Sequence, residues 1–249
     1  MIRVLIPLDS QDETTFQTAL AYADAICEKV GAAAQDIALL IHGKGQLDHT
    51  NLGGFLGKAT VKALSRGPVS LPHDRRLSLE TLTKRPLLTR PTVIIAYYAD
   101  AKLLDAADGL RNVEGVIAVP WVPGGADSWV KRWGATVHGQ DAQPASPLID
   151  DPVVVRALES LTAVINLSTG LIHPSDKTHA DEILRILRAK GHPDPTPEVK
   201  SWAIRNGWKP GHAAELETLA KRIWAMKTKP VLSKIRDASD RYSRWSAGN

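Results

Sequence analysis

Along the first half of the chain the hydrophobic positions alternate between two periods. "IRVLIP" (2–7), "IALLI" (37–41), "TVIIAYY" (92–98) and "GVIAVP" (115–120) are short apolar runs, the pattern of strands buried on both faces. Between the first two, Phe16, Leu20, Ala23, Ile26 and Val30 recur at three- and four-residue spacings before Gly31, which predicts a helix and its stop. "NLGGFLGKATVKALSRG" (51–67) reads as a glycine-softened helix ending at Gly67, and "AKLLDAADGL" and "ADSWVKRWG" read as two more. This rhythm predicts an α/β fold, a Rossmann-like, mostly parallel sheet over residues 1–140 with helices on both faces. Residues 68–91 interrupt it and read as a hairpin or irregular excursion.

The period changes beyond "HGQDAQPASPLIDDP", and residues 141–152 read as a linker. From residue 153 the pattern is purely helical. Val154, Leu158, Leu161 and Ile165 share one face; a second helix begins after Pro174, with Ser175 or Asp176 as cap, and stops at Gly191. Thr196 followed by Pro197 starts a third, and Pro210 repeats the device for a fourth. These elements predict a small all-helical domain over 153–228, followed by a basic tail over 229–249. Ala203 and Gly207 have the spacing of a helix–turn–helix, which needs a small residue at the crossing and a glycine in the turn. Trp202, Trp208, Ala213 and Leu216 fall at its apolar positions, while Asn206 stands where an apolar residue is usual. "VKSWAIRNGW" resembles the DNA-binding segment of H-NS-like bacterial nucleoid proteins. That resemblance implies DNA contact, although "KPGH" here replaces the family's Arg-Gly-Arg hook.

Charge gives the helical reading a partner. Residues 1–142 hold 15 Lys/Arg and 15 Asp/Glu, residues 143–249 hold 16 and 12, and residues 221–249 hold 8 and 2. A cationic surplus attracts phosphate-rich partners by counterion release, so DNA or RNA is the expected partner. Arg205, Lys209, His212, Lys221 and Arg222 are the candidate contacts on the helices, and Lys234, Arg236, Arg241 and Arg244 those on the tail.

The sheet half offers a second chemistry. In an open parallel sheet, ligands bind outside the carboxyl ends of the strands. Asp9, Ser10, His42, Lys44, Asn51 and Tyr98 fall there and form a candidate site for a nucleotide or phosphorylated small molecule. "IRVLIPLDSQDETTFQTALAYADAI" is similar to the start of universal stress proteins, which implies an adenine nucleotide near Asp9. Neither a G-x-G-x-x-G nor a G-x-x-x-x-G-K-[ST] loop occurs, and no cofactor is identified. No G-x-S-x-G elbow and no H-E-x-x-H helix occurs, so no catalytic residue is assigned. His173, Asp176 and His179 read as a loop and helix cap, and no metal site is assigned.

The remaining numbers mainly exclude. A 43% hydrophobic, 23% charged chain has ordinary globular composition. No run approaches 18 apolar residues, so no membrane is expected, and the opening segment reads as a strand and not as a signal peptide. Cys27 is the single cysteine, which excludes an intrachain disulfide and fits a reducing cytoplasm; the whole reads as a cytoplasmic protein of bacterial type. Seven tryptophans suggest a third role, docking of a protein partner. Trp202, Trp208 and Trp224 are expected in the helical core, Trp121, Trp129 and Trp133 bridging the domains, and Trp245 free in the tail with Tyr242. The sequence thus leaves three readings: a nucleic-acid-associated regulator, an enzyme or sensor working at the strand ends, and a protein-docking module.

Overall fold

The computed structural model describes residues 1–31, 36–84, 86–142 and 144–247. Residue 143 of the expected linker and residues 248–249 of the expected tail lie outside these. Contacts divide the chain into two compact units, Met1–Ala145 and Ser146–Asn249.

Among the described residues the first unit is built on seven strands, β1 (Ile2–Leu5), β2 (Asp36–Ile41), β3 (Val69–Ser70), β4 (Arg76–Thr81), β5 (Thr92–Ala99), β6 (Val113–Pro120) and β7 (Thr136–Val137). Their order across the sheet is β3-β4-β2-β5-β6-β1-β7, and every pairing is parallel except β3 with β4. The predicted α/β class and mostly parallel sheet are therefore present. Residues 68–91 contain the β3–β4 hairpin, and β4 extends the parallel sheet beside β2.

Helices cover both faces. α1 (Glu13–Val30), α2 (Gly45–His49), α3 (Leu52–Leu56) and α4 (Lys58–Leu64) lie on one, where Phe16, Ile26, Leu52 and Leu64 pack on Ile6, Leu39 and Ile95. α5 (Ala101–Asp108) and α6 (Asp127–Trp133) lie on the other, where Leu103, Leu104 and Trp129 pack on Leu5, Ile94 and Ala118. The single helix expected over 51–67 is two helices meeting at Gly57. Its φ of 76° is a left-handed value that glycine alone adopts at no steric cost, and it breaks the helix there.

One carboxylate fastens the second face. The side chain of Asp108 is 2% exposed and accepts from Arg3 Nε at 3.0 Å, Trp129 Nε1 at 2.9 Å and Trp133 Nε1 at 2.7 Å. Buried Arg132 pairs with Asp105 at 2.8 Å beside it. Trp129 and Trp133, expected at a domain junction, are thus used inside the sheet unit. Their indole donors must find acceptors once the rings are buried, and Asp108 supplies both.

The second unit contains α7 (Pro152–Val164), α8 (Pro174–Lys190), α9 (Thr196–Arg205), α10 (Pro210–Trp224) and α11 (Ala238–Ala247). Asp151 caps α7 by accepting from Val153 N and Val154 N. α9 packs on α10, α10 on α8, and α11 on both α7 and α8. Gly207 takes φ 88° between α9 and α10, and Ala203, Trp208, Ala213 and Leu216 are buried around that turn. The expected tail differs most. α11 places Trp245 at 5% exposure and Arg241 at 9% inside the unit, so neither is a free tail residue.

Candidate functional site

The sheet has a topological switch at the carboxyl ends of β1 and β6. The chain leaves β1 for α1 on one face and leaves β6 for α6 on the other, so the two adjacent strand ends diverge. Divergence of this kind opens a crevice where ligands bind in α/β proteins. The crevice here has a volume of about 480 Å³. Pro7, Leu8, Asp9 and Ser10 form one wall, and Trp121, Val122 and Asp127 contribute to the other. Leu8, Trp121 and Val122 are 41%, 50% and 53% exposed, so three large apolar side chains open to solvent gather at one mouth. Such grouping is uncommon on a surface with no partner.

The supporting layer is unusual as well. Tyr98 sits at φ 56°, where the β5–β6 register shifts, so Tyr97 and Tyr98 project onto the same face in succession. A bulky residue in the left-handed region carries backbone strain on the order of 1 kcal/mol or more. Tyr98 meets Tyr97 edge-on at 4.8 Å and Trp121 edge-on at 4.5 Å, and thereby backs the Trp121 wall. Its buried hydroxyl has no hydrogen-bond partner among the described residues. Tyr97 Oη donates to Ser10 O at 3.0 Å and holds the loop after β1. Burial, reinforced by Tyr98, Asp12 and Asp9, pushes the Tyr97 phenol above its ordinary pKa.

The six expected ligand residues therefore separate. Asp9 and Ser10 line the crevice, and Tyr98 stands behind it. His42, Lys44 and Asn51 belong to the β2 end, which β5 separates from β6. His42 Nε2 lies 3.2 Å from Asp100 Oδ1, and Asn51 Nδ2 donates to Gln11 O at 3.1 Å; Lys44 is exposed. None of these three lines the crevice. Leu8, Val122 and Asp127 do line it, and none of them belongs to a motif legible in the sequence. The signal that could have found Val122, together with Trp121, is "PWVPGGAD", an apolar pair between prolines directly after a strand.

The expected nucleic-acid contacts are mostly engaged within the helical unit. Lys221 Nζ pairs with Glu217 at 2.7 Å, and Arg222 Nη2 with Asp181 at 2.7 Å. Arg241 pairs with Glu182 at 2.7 Å, and Arg236 with Asp237 at 3.3 Å. Arg205 donates to Ser146 O and Lys209 to Ser168 O, each at 2.8 Å. His212 packs against Gly170, where an added Cβ would collide with its ring, and its Nδ1 is buried without a partner among the described residues. Lys234 and Arg244 stay exposed, as do Lys227 and Lys229 nearby. A shallow groove of about 540 Å³ beside α10 has mixed charge, with Lys177, Glu215 and Arg222 at its edge.

The tryptophans divide in the same way. Trp202, Trp208 and Trp245 are buried in the helical unit, whereas half of the Trp121 surface meets solvent. Asp24, Glu28 and His73 bring three possible metal-ligand atoms within 4.8 Å of one another, but Arg75 already pairs with Asp24. No helix among the described residues is long and apolar enough to cross a membrane.

Residues 150–246 are similar to a family described as a domain of unknown function (DUF1889). The match takes in nearly all of the helical unit and none of the sheet strands. No curated protein and no solved structure matches the chain.

Proposed function

We propose that the protein is a small-ligand-binding protein, a sensor or enzyme whose site is the β1/β6 crevice. The observation that carries this reading is the exposure of Leu8, Trp121 and Val122 together at a switch-point cavity. Holding them in water forgoes about 25 cal/mol per Å² of apolar surface, a cost that a bound ligand removes. The strained Tyr98 backing one wall supports it, since strain of this kind clusters at ligand clamps. The test is a 1H–15N NMR screen of a fragment library against the whole protein. Shifts gathered at Leu8, Asp9, Trp121 and Val122 are expected; shifts confined to the helical unit would defeat the reading.

A second reading is that the helical unit, as a helix–turn–helix-like domain, engages DNA or RNA. Gly207 in its left-handed turn, the buried Ala203 at the α9–α10 packing, and exposed Lys227, Lys229, Lys234 and Arg244 favour it. Binding to a fluorescent duplex should weaken steeply as salt rises. A flat salt response, or no binding at low salt, removes this reading.

A further inference from the structure

We infer that the β1/β6 crevice takes an organic cation with an apolar body and disfavours phosphorylated ligands. This rests on the ligand-binding reading above and names the class of ligand. The charged side chains lining the crevice are Asp9 and Asp127, and no lysine or arginine among the described residues lines it. Both carboxylates are exposed, and neither has an ion pair among the described residues. Asp9 Oδ1 accepts from Gln11 N at 2.9 Å, which fixes the carboxylate and leaves its second oxygen for a ligand. Around these acids the walls are Leu8, Pro7, Trp121, Val122 and Pro123, and they accept hydrocarbon.

Each element of that lining selects. Carboxylates without a counter-cation attract an ammonium group and repel phosphate, the more so beside a low-dielectric wall. A half-exposed indole adds cation–π attraction for an ammonium and apolar contact for the body it is carried on. A nucleotide would need the reverse, cations facing its phosphates, and the crevice walls supply no cationic side chain among the described residues. The cationic strand-end candidate, Lys44, belongs to the β2 end and does not line the crevice. The phosphorylated ligand expected from the sequence thus lacks its counter-charge here.

The test uses the full chain and three probes: benzyltrimethylammonium, neutral benzyl alcohol, and AMP. The reporter is the Trp121 indole N–H resonance, assigned by comparison with Trp121→Phe, with calorimetry for affinity. A saturable shift with benzyltrimethylammonium is expected, with weaker binding of benzyl alcohol and none of AMP. The double variant Asp9→Asn/Asp127→Asn should weaken the cation roughly tenfold or more while leaving benzyl alcohol unchanged. If cation and alcohol bind equally, or AMP binds better, the ligand class is wrong and the crevice remains a binding site. If none of the three moves Trp121, the ligand-binding reading falls as well. The comparison of probes on the unaltered protein stands even if the double variant fails to fold.

Discussion

The crevice and the helical cationic surface differ in how their charges are used. On the helical unit the cations are largely answered from within: Asp181 takes both Arg185 and Arg222, Glu182 takes Arg241, and Glu217 takes Lys221. Arg188 adds bonds to Ile223 O and Met226 O near the end of α10, where the carbonyls lack helical partners. In the crevice, Asp9 and Asp127 have no cation, and three apolar side chains have no cover among the described residues. Charge that finds a partner within its own unit contributes to structure. Charge left alone beside exposed hydrocarbon is available for binding. Net charge by segment therefore misdirects attention here, because it weights every lysine and arginine equally.

That contrast can be broken at several strengths. The largest effect is expected deep in the sheet unit. Asp108→Ala would leave Arg3 and the indole donors of buried Trp129 and half-buried Trp133 without their acceptor, and should cost about 3–5 kcal/mol in denaturant unfolding. A loss below about 1 kcal/mol would mean that these groups find water instead. Arg241→Ala tests whether a tail cation is structural. With the side chain buried beside Glu182 and over Trp245, it should lower stability by about 2 kcal/mol. A variant as stable as the parent would return Arg241 to the candidate nucleic-acid contacts.

Asp151→Asn sits lower, at about 1 kcal/mol near neutral pH: the amide oxygen can still cap α7, and the loss is that of the carboxylate charge facing His192 and the helix start. Its pH dependence has a fixed sign. Burial alone would raise the Asp151 carboxyl, but the hydrogen bond from His192 and the two N–H groups of α7 outweigh it and the net shift is downward. A carboxyl lowered in the folded state adds stability that is present above the unfolded value, 3.8, and is lost as pH falls through the folded one. Parent and variant melting temperatures should therefore converge in acid; curves that stay parallel to low pH would refute the assignment. The smallest effect is expected where side chains are exposed. Trp121→Ala should cost about 1 kcal/mol, since its edge contact with Tyr98 is lost, while abolishing ligand shifts in the crevice. Lys227→Gln/Lys229→Gln/Lys234→Gln should leave the melt unchanged, and a duplex affinity equally unchanged would dismiss the remaining cationic patch.

Much of this organisation is readable in the chain. β2, β5 and β6 are buried on both faces, so each appears as an unbroken apolar run. α7 to α10 each carry a proline at their start, and Gly191 and Gly207 mark the stops of α8 and α9. Asp9 and Ser10 were legible as strand-end candidates because a parallel strand exposes its carboxyl end by construction. β4 and β7 were not legible. "RLSLET" alternates with polar residues and "TV" is two residues long, and pairing with a neighbour near the sheet edge, not composition, makes them strands.

By itself, then, the amino-acid order determined the periods: which segments are strands buried on both faces, where the purely helical region begins, and how much charge each part carries. Periodicity is local, and local propensity and burial pattern suffice to express it. Partnership is not local. That β1 lies between β6 and β7, that Asp108 serves Arg3, Trp129 and Trp133, and that Arg222 meets Asp181 41 residues away, depend on which surfaces the packed chain brings together. Only the tertiary structure decided which charges were neutralised and which were left facing an open crevice.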